Sequence, residues 1–161
     1  MARHDAQPAE IAIIGAGLAG VACAQRLRAA GLHAPVFEKS RGIGGRVATR
    51  RFETQAFDYG APQLEICSAP FQAAIAPHAA LTSTTLAAPS SGLRTIVKQL
   101  ATGITVELTT QVAALGFHDD RVVVTLQDGR AMHYDRVVVT APLPQALMLV
   151  PDKARHMLDP S

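Results

Sequence analysis

A chain of 161 residues, 48% of them hydrophobic and 17% charged, is long enough to bury a real core and has the size of one globular domain. Its formal charge of +2, the absence of Trp and an aromatic content of 4% argue against a basic nucleic-acid surface or an aromatic stacking platform, so no nucleic-acid partner is expected. The two cysteines, Cys23 and Cys67, lack CxxC spacing, and the histidines (His4, His33, His78, His118, His133, His156) form no i, i+4 pair. Buried, reduced thiols are expected, and no metal site.

In chain order, residues 11 to 24 have the apolar character of a secretory signal, but the preceding MARHDAQPAE carries Asp5 and Glu10 and is not cleanly positive. No run approaches the roughly 20 apolar residues that span a bilayer. A cytoplasmic protein with no membrane partner is the expectation. Ile11 to Ile14 read as a buried strand, Leu18 to Ala30 as a helix ended by Gly31, and Ala34 to Glu38 as a second strand. This is a βαβ unit, whose parallel strands are covered on both faces and need not alternate with polar residues.

Lys39 to Arg51, KSRGIGGRVATRR, reads as a polar, glycine-rich loop, and FETQAFDYGAP after it holds at most a short strand. Between Ser68 and Gly92, Pro70, Pro77 and Pro89 interrupt any long helix, leaving one short helix and a linker. A helix from Ser91 to Leu100, capped by Ser90 or Ser91, buries Leu93, Ile96, Val97 and Leu100. Three or four β segments follow, with Asp128-Gly129 as a tight turn, and Arg136 to Ala141 suits another central strand of the main sheet. A helix starts behind Pro142 and Pro144. The expected fold is α/β, a Rossmann-like FAD/NAD(P)-binding three-layer fold with a parallel sheet and a β-meander. It is expected as one domain over residues 1–161, with the βαβ unit and glycine-pair loop at 10–60, a linker-like part at 68–92, and the helix, meander and final strand at 93–150.

The chemistry concentrates in GAGLAG, residues 15–20. Gly15, Gly17 and Gly20 fit GxGxxG between strand and helix, where the first glycine makes the turn, the second admits a pyrophosphate and the third lets the helix pack on the strand. The helix N-terminus then offers unpaired amides and a partial positive charge to the anion. The alternative is that these small residues serve helix packing only. Glu38 ends the second strand 18 positions after Gly20, where it can accept hydrogen bonds from a ribose diol; otherwise it is an exposed surface charge. A carboxylate there repels the 2′-phosphate of NADP and favours FAD or NAD, although Arg41 and Arg46 keep NADP open. Gly44-Gly45 would let a second backbone segment approach the cofactor closely, and Arg46 offers a fork of donors to phosphate. The competing reading is a flexible basic surface loop.

Together IAIIGAGLAG, FEKSRGIGGRVATRR, FDYGA and VVVTAPLPQAL resemble the renalase-like, NAD(P)/FAD-dependent oxidoreductases of the flavin-containing amine oxidase group, over about Ile11 to Val150. The resemblance implies FAD as cofactor, NAD(P)H as a candidate substrate, and hydride transfer from a reduced nicotinamide-type or amine substrate to the flavin. It implies that Gly15, Ala16, Gly17, Leu18, Ala19 and Gly20 line the pyrophosphate, and that Glu38, followed by Lys39, takes the adenosine ribose. Arg41, Gly44, Gly45 and Arg46 would lie along the cofactor with Gly60 and Ala61 of FDYGA. Val112 would contact adenine through its backbone, and Thr140 and Ala141 would close the site. A plain NAD(P)-dependent dehydrogenase leaves Gly44-Gly45 unexplained.

There are departures. Gly42 stands where the amine oxidase group commonly has an arginine, with Arg41 displaced by one, and Pro62-Gln63-Leu64 replaces the usual Gln-Tyr-Phe after FDYGA. The substrate-domain sheet and the Gly-Asp segment that holds the ribityl phosphate in that family find no counterpart. The alternatives to a complete oxidoreductase are therefore a shortened, non-catalytic dinucleotide-binding module, or half of a flavoenzyme completed by a partner chain or a homo-oligomer. No general base is assigned: Asp58 and Tyr59 fall near the expected flavin or only shape the loop, and no Ser/His/Asp or Cys/His constellation has support.

Overall fold

The computed structural model describes residues 10–53, 55–58, 60–61, 63–65, 68–78, 85–87 and 91–155; Tyr59, Pro62, Cys67 and Ser90 lie outside them. The first unit is β1 (Ile11–Ile14), α1 (Leu18–Ala29) and β2 (Val36–Phe37). Next come β3 (Thr49–Phe52), β4 (Gln55–Asp58), β5 (Gln63–Glu65), α2 (Ala69–Ile75) and β6 (Thr85–Ala87). The second half holds α3 (Arg94–Leu100), β7 (Val106–Glu107), β8 (Val112–His118) and β9 (Arg121–Leu126). It ends with β10 (Ala131–Tyr134), β11 (Arg136–Val139), α4 (Leu143–Leu149) and α5 (Asp152–Arg155).

Three layers result. The middle one is a parallel sheet in the order β11-β1-β2-β7, with Ile13 opposite Val138 on one side and Val36 on the other. Strand side chains alternate between faces. Ala12, Ile14 and Phe37 therefore pack against Val112, Leu115, Val124 and Leu126 of the meander, whereas Ile13 and Val36 pack against Ala16 and Ala24 on the α1 side. Beyond α1, Val21 joins Val47, Ile75, Leu93, Ile96 and Val97 in a second buried cluster. Cys23 is half-buried beside the α1 layer. No helix among the described residues is long and apolar enough to cross a membrane, and no three of their His, Cys, Asp or Glu side chains are grouped to hold a metal.

The meander, β8-β9-β10, is antiparallel and turns on residues that tolerate positive φ. Asp119 and Asp120 at φ 47° and 60° close β8 on β9, and Gly129 at 89° closes β9 on β10 as the Asp128-Gly129 signal predicts. Hydrogen bonds from the backbone and side chain of Arg130 hold the Asp128 carboxyl below its usual range. A bulge between Val112 and Ala114 shifts the register of β8 and turns Val112 and Leu115 inward together, although three positions apart on a regular strand face opposite ways. The Tyr134 ring meets Phe37 edge-on, and burial pushes its hydroxyl above the ordinary phenol value. Arg121 ties the meander to the start of β1 by pairing with Glu10 and Asp135 and donating to the His133 carbonyl.

The structure corrects several sequence expectations. The second strand is limited to Val36–Phe37, because only that pair is bonded to neighbours on both sides. The glycine-rich segment leads into a full hairpin, β3 with β4, rather than one short strand. The part expected as a linker contains β6, paired with β5, as well as the short helix α2, which Ser68 caps. Among the described residues five strands, not three or four, follow α3, and β11 stands at the edge of the four described parallel strands rather than inside them. Ser90 lies outside the described residues, and Ser91 does not cap α3: the N-cap position is Leu93, with no side-chain hydrogen bond, and the segment before the helix is anchored from another element, as described below.

Ile96 has no exposed surface and lies in the cluster joining α1, α2 and α3. Ile96→Ala is expected to cost about 2–5 kcal/mol of unfolding free energy in urea titrations. A loss below about 1 kcal/mol would mean that this layer is not part of the cooperative core.

Candidate functional site

The loop after β1 is built to bring backbone close to backbone. Gly15 adopts φ +101°, a conformation open to glycine, and turns the chain into α1. A Cβ on Gly20 would stand 1.9 Å from the Gly15 carbonyl oxygen, so the third glycine is required by the packing of α1 on the strand. Thr140, at the end of β11, locks this turn: its hydroxyl donates to the carbonyls of Ile14 at 2.9 Å and Gly15 at 3.1 Å, and its amide also donates to Ile14. The adjoining Ala141 is half-buried.

Gly17 differs. A Cβ there would meet no atom of the described residues nearer than 3.9 Å, so their packing does not require its bareness. It caps α1 with no side-chain hydrogen bond, and the first turn, Leu18, Ala19 and Gly20, carries no acidic residue. Those first amides have no partner within the helix and bear the positive end of its dipole. A cradle of this form fits a pyrophosphate.

Against this loop lies the glycine pair. The Gly44 amide donates to the Ala16 carbonyl at 2.9 Å, Gly44 forms a parallel bridge with Gly17, and a Cβ on Gly45 would come within 3.1 Å of the Gly17 Cα. Gly44 and Gly45 both have positive φ, at 130° and 55°. The pair then opens a 3-10 turn, Gly45–Val47, on which the Arg46 side chain is exposed and makes no hydrogen bond or ion pair among the described residues. Arg41 is likewise exposed.

Glu38 is the one charged residue counted as buried among the described residues, at 7% exposure. Its Oε2 accepts from the Ala16 amide at 2.8 Å and its Oε1 from the Ser40 amide at 2.8 Å, which ties the end of β2 to the glycine turn. The Thr110 amide donates to the Glu38 carbonyl, so the chain entering β8 at Val112 runs beside it. Lys39 is exposed and reaches Gln145 of α4 at 3.3 Å. Gly60 and Ala61 sit against the 3-10 turn: the Ala61 amide donates to the Arg46 carbonyl at 2.8 Å, and a Cβ on Gly60 would stand 2.0 Å from that oxygen. The structure therefore gathers Gly15, Ala16, Gly17, Gly20, Glu38, Gly44, Gly45 and Thr140 at the carboxyl ends of β1, β2 and β11. Val112 buries its side chain in the core beneath Phe37.

Asp58 is placed as scaffold. It receives the Thr49 hydroxyl, and its two oxygens accept from the Leu93 amide at 3.2 and 3.1 Å, so the hairpin anchors the segment leading into α3. Sequence reasoning missed Thr49 and Arg94. Thr49 accepts from the Arg94 amide at 3.2 Å and fills the space that a side chain on Gly92 would need. Arg94 Nε donates to the Ile43 carbonyl at 2.8 Å. Only the unexplained Gly42, a glycine without a turn to make, hinted at the second contact.

A parallel sheet ending in a bare glycine turn, a helix N-terminus and a buried strand-end carboxylate defines the class of dinucleotide-binding α/β proteins. Residues 13–73 match the profile of the NAD(P)-binding Rossmann-like domain, and residues 78–161, more than half of the chain, match that of the flavin containing amine oxidoreductases. The chain belongs to the flavin-containing amine oxidoreductase family. A 4,4'-diapophytoene desaturase (4,4'-diaponeurosporene-forming) of Staphylococcus haemolyticus is 42% identical over 50 residues, 31% of this chain and 10% of that protein. The fold is similar to that of a CLA-producing fatty acid isomerase from P. acnes, with a TM-score of 0.74 at 14% identity over 95% of this chain and 64% of that one. A protein assigned as a protoporphyrinogen oxidase from Exiguobacterium sp. 255-15 gives 0.69 at 14% identity, over 91% and 62%. The chain thus spans one tenth of the desaturase and under two thirds of each solved structure.

The second and third glycines of the motif should separate in their effects. Gly20→Ala forces a Cβ onto a backbone oxygen and is expected to cost about 1–3 kcal/mol of stability by overpacking. Gly17→Ala, with room around its Cβ, should stay within about 0.5 kcal/mol of the parent. Thermal and urea unfolding of both variants without cofactor checks this, and equal losses would show that Gly17 is also bare for packing.

Proposed function

We propose that this chain binds FAD and forms the dinucleotide-binding part of a renalase-like oxidoreductase, with a reduced nicotinamide-type compound or an amine as the substrate class. The observation that carries the reading is Glu38: a buried carboxylate held at the end of β2 by two backbone amides, beside a glycine turn that the glycine pair covers. Each of its oxygens accepts one hydrogen bond and keeps acceptor capacity, which suits the two hydroxyls of a ribose. A 2′-phosphate in the same place would bring further negative charge against a buried carboxylate, which disfavours NADP in this groove.

The other residues divide the remaining work. The amides of the first turn of α1 take the pyrophosphate oxygens across the open space at Gly17, and Arg46, exposed and unpaired among the described residues, adds guanidinium donors along the cofactor. Lys39 and Gln145 flank the ribose end, the backbone at Val112 faces adenine, and Gly60-Ala61, held by the Arg46 carbonyl, borders the ring end. Bound flavin supplies the hydride-accepting chemistry, and the chain supplies position and electrostatics.

Purified protein should be yellow, and boiling should release FAD rather than NAD. Glu38→Ala is expected to weaken FAD binding, followed by fluorescence quenching, by about 1–3 kcal/mol, the scale of losing a hydrogen bond to a charged group. Circular dichroism of the variant confirms that the protein remains folded. Release of NAD, or an affinity for FAD unchanged by Glu38→Ala, would overturn the reading.

A further inference from the structure

Arg94 opens α3, and its side chain crosses back over the glycine-pair loop. Its Nε donates to the Ile43 carbonyl at 2.8 Å, and its Nη2 lies 1.8 Å from the point that a Cβ on residue 42 would occupy. Its Cγ and Cδ lie 3.2 and 3.7 Å from the corresponding point on Gly44. The base of this arm is fixed, because Leu93 and Ile96 are fully buried and the Arg94 amide donates to Thr49. On its opposite side the same loop touches the dinucleotide turn, through the Gly44 amide on the Ala16 carbonyl and the bridge to Gly17. The segment from Gly42 to Gly45 is therefore held between Arg94 and the turn.

We propose that Arg94 is a positioning residue that sets the glycine-pair loop onto the dinucleotide turn, and that residue 42 is glycine in order to admit its guanidinium. Gly42 is not among the glycines of positive φ, so its backbone does not demand the absence of a side chain. Space does. A Cβ at 42 and the guanidinium exclude each other, and because the guanidinium is the far end of a flexible side chain, the arm would swing away at small cost to folding while the loop loses its clamp. The effect on FAD rests on the function proposed above; the effect on the loop does not.

The test separates the two. In the cofactor-free chain, Arg94→Met keeps the stem's packing on Gly44 but removes the guanidinium, and Gly42→Ala displaces the guanidinium from the other side. Hydrogen exchange of the Gly44 amide, read by NMR, should quicken at least about tenfold in each, the change that follows from losing roughly one hydrogen bond of local stability. The amides of Ile13 and Thr140, bonded within the sheet, should exchange as before. The double variant should match Arg94→Met alone, since without the guanidinium a methyl group at 42 has nothing to displace. FAD affinity should fall about tenfold in both single variants, with the same non-additivity. Should Arg94→Met unfold, Gly42→Ala alone carries the exchange test. Unchanged Gly44 exchange, or an effect of Gly42→Ala that is equal with and without Arg94, overturns the proposal. A parent chain that binds no FAD while Gly44 exchange responds as expected would overturn the flavin reading and leave the role of Arg94 standing.

Discussion

Two stretches of backbone meet at Gly17 and Gly44-Gly45 with no side chain between them, and the rest of the site is arranged around that approach. A backbone contact of this kind buries peptide groups, which must find partners or cost stability. The chain supplies those partners locally: the Gly44 amide takes the Ala16 carbonyl, and the Ala16 amide takes the Glu38 carboxylate. Glu38 thereby does two things at once, fixing the end of β2 to the turn and presenting a carboxylate where we propose that the ribose binds. Its removal cannot be a purely electrostatic change.

The parts legible in the sequence were those in which a local pattern has one structural outcome. The unbroken apolar run of Ile11 to Ile14 became a strand buried on both faces, and Asp128-Gly129 became a turn with Gly129 at φ +89°. GAGLAG became the strand-to-helix turn because Gly15 needs positive φ and Gly20 needs contact with a carbonyl. What stayed hidden depended on partners far along the chain. β6 is a strand only because β5 lies alongside it, and the entry to α3 is held by Asp58, some 35 positions earlier, rather than by Ser91 of its own segment. Val112 and Leu115 face the core together only because a bulge breaks the two-residue period, and no composition signal announces a bulge at Ala113.

Electrostatics at the site follow the same geometry. The first turn of α1 has neither a capping side chain nor an acidic residue, so its positive end is not neutralised from within. Arg46 is exposed close by on the 3-10 turn, and Glu38, the buried carboxylate, holds the Ala16 amide of the glycine turn. Unclaimed amides at a helix N-terminus beside a buried strand-end carboxylate are the arrangement of dinucleotide-binding α/β proteins.

Contacts that the chain satisfies by itself can be told apart from those it leaves open, and this divides scaffold from site. Gly20 is bare because Gly15 is against it, Gly60 because the Arg46 carbonyl is against it, and Gly92 because Thr49 is against it; each is explained within the molecule. Thr140 uses its hydroxyl on two carbonyls of the turn, and Asp58 uses its carboxylate on Thr49 and Leu93. By contrast, the space at Gly17, the first amides of α1 and the guanidinium of Arg46 have no internal claimant among the described residues. These unclaimed groups lie on the turn and the loop that meet at Gly17 and Gly44-Gly45, which is where we propose that the dinucleotide binds.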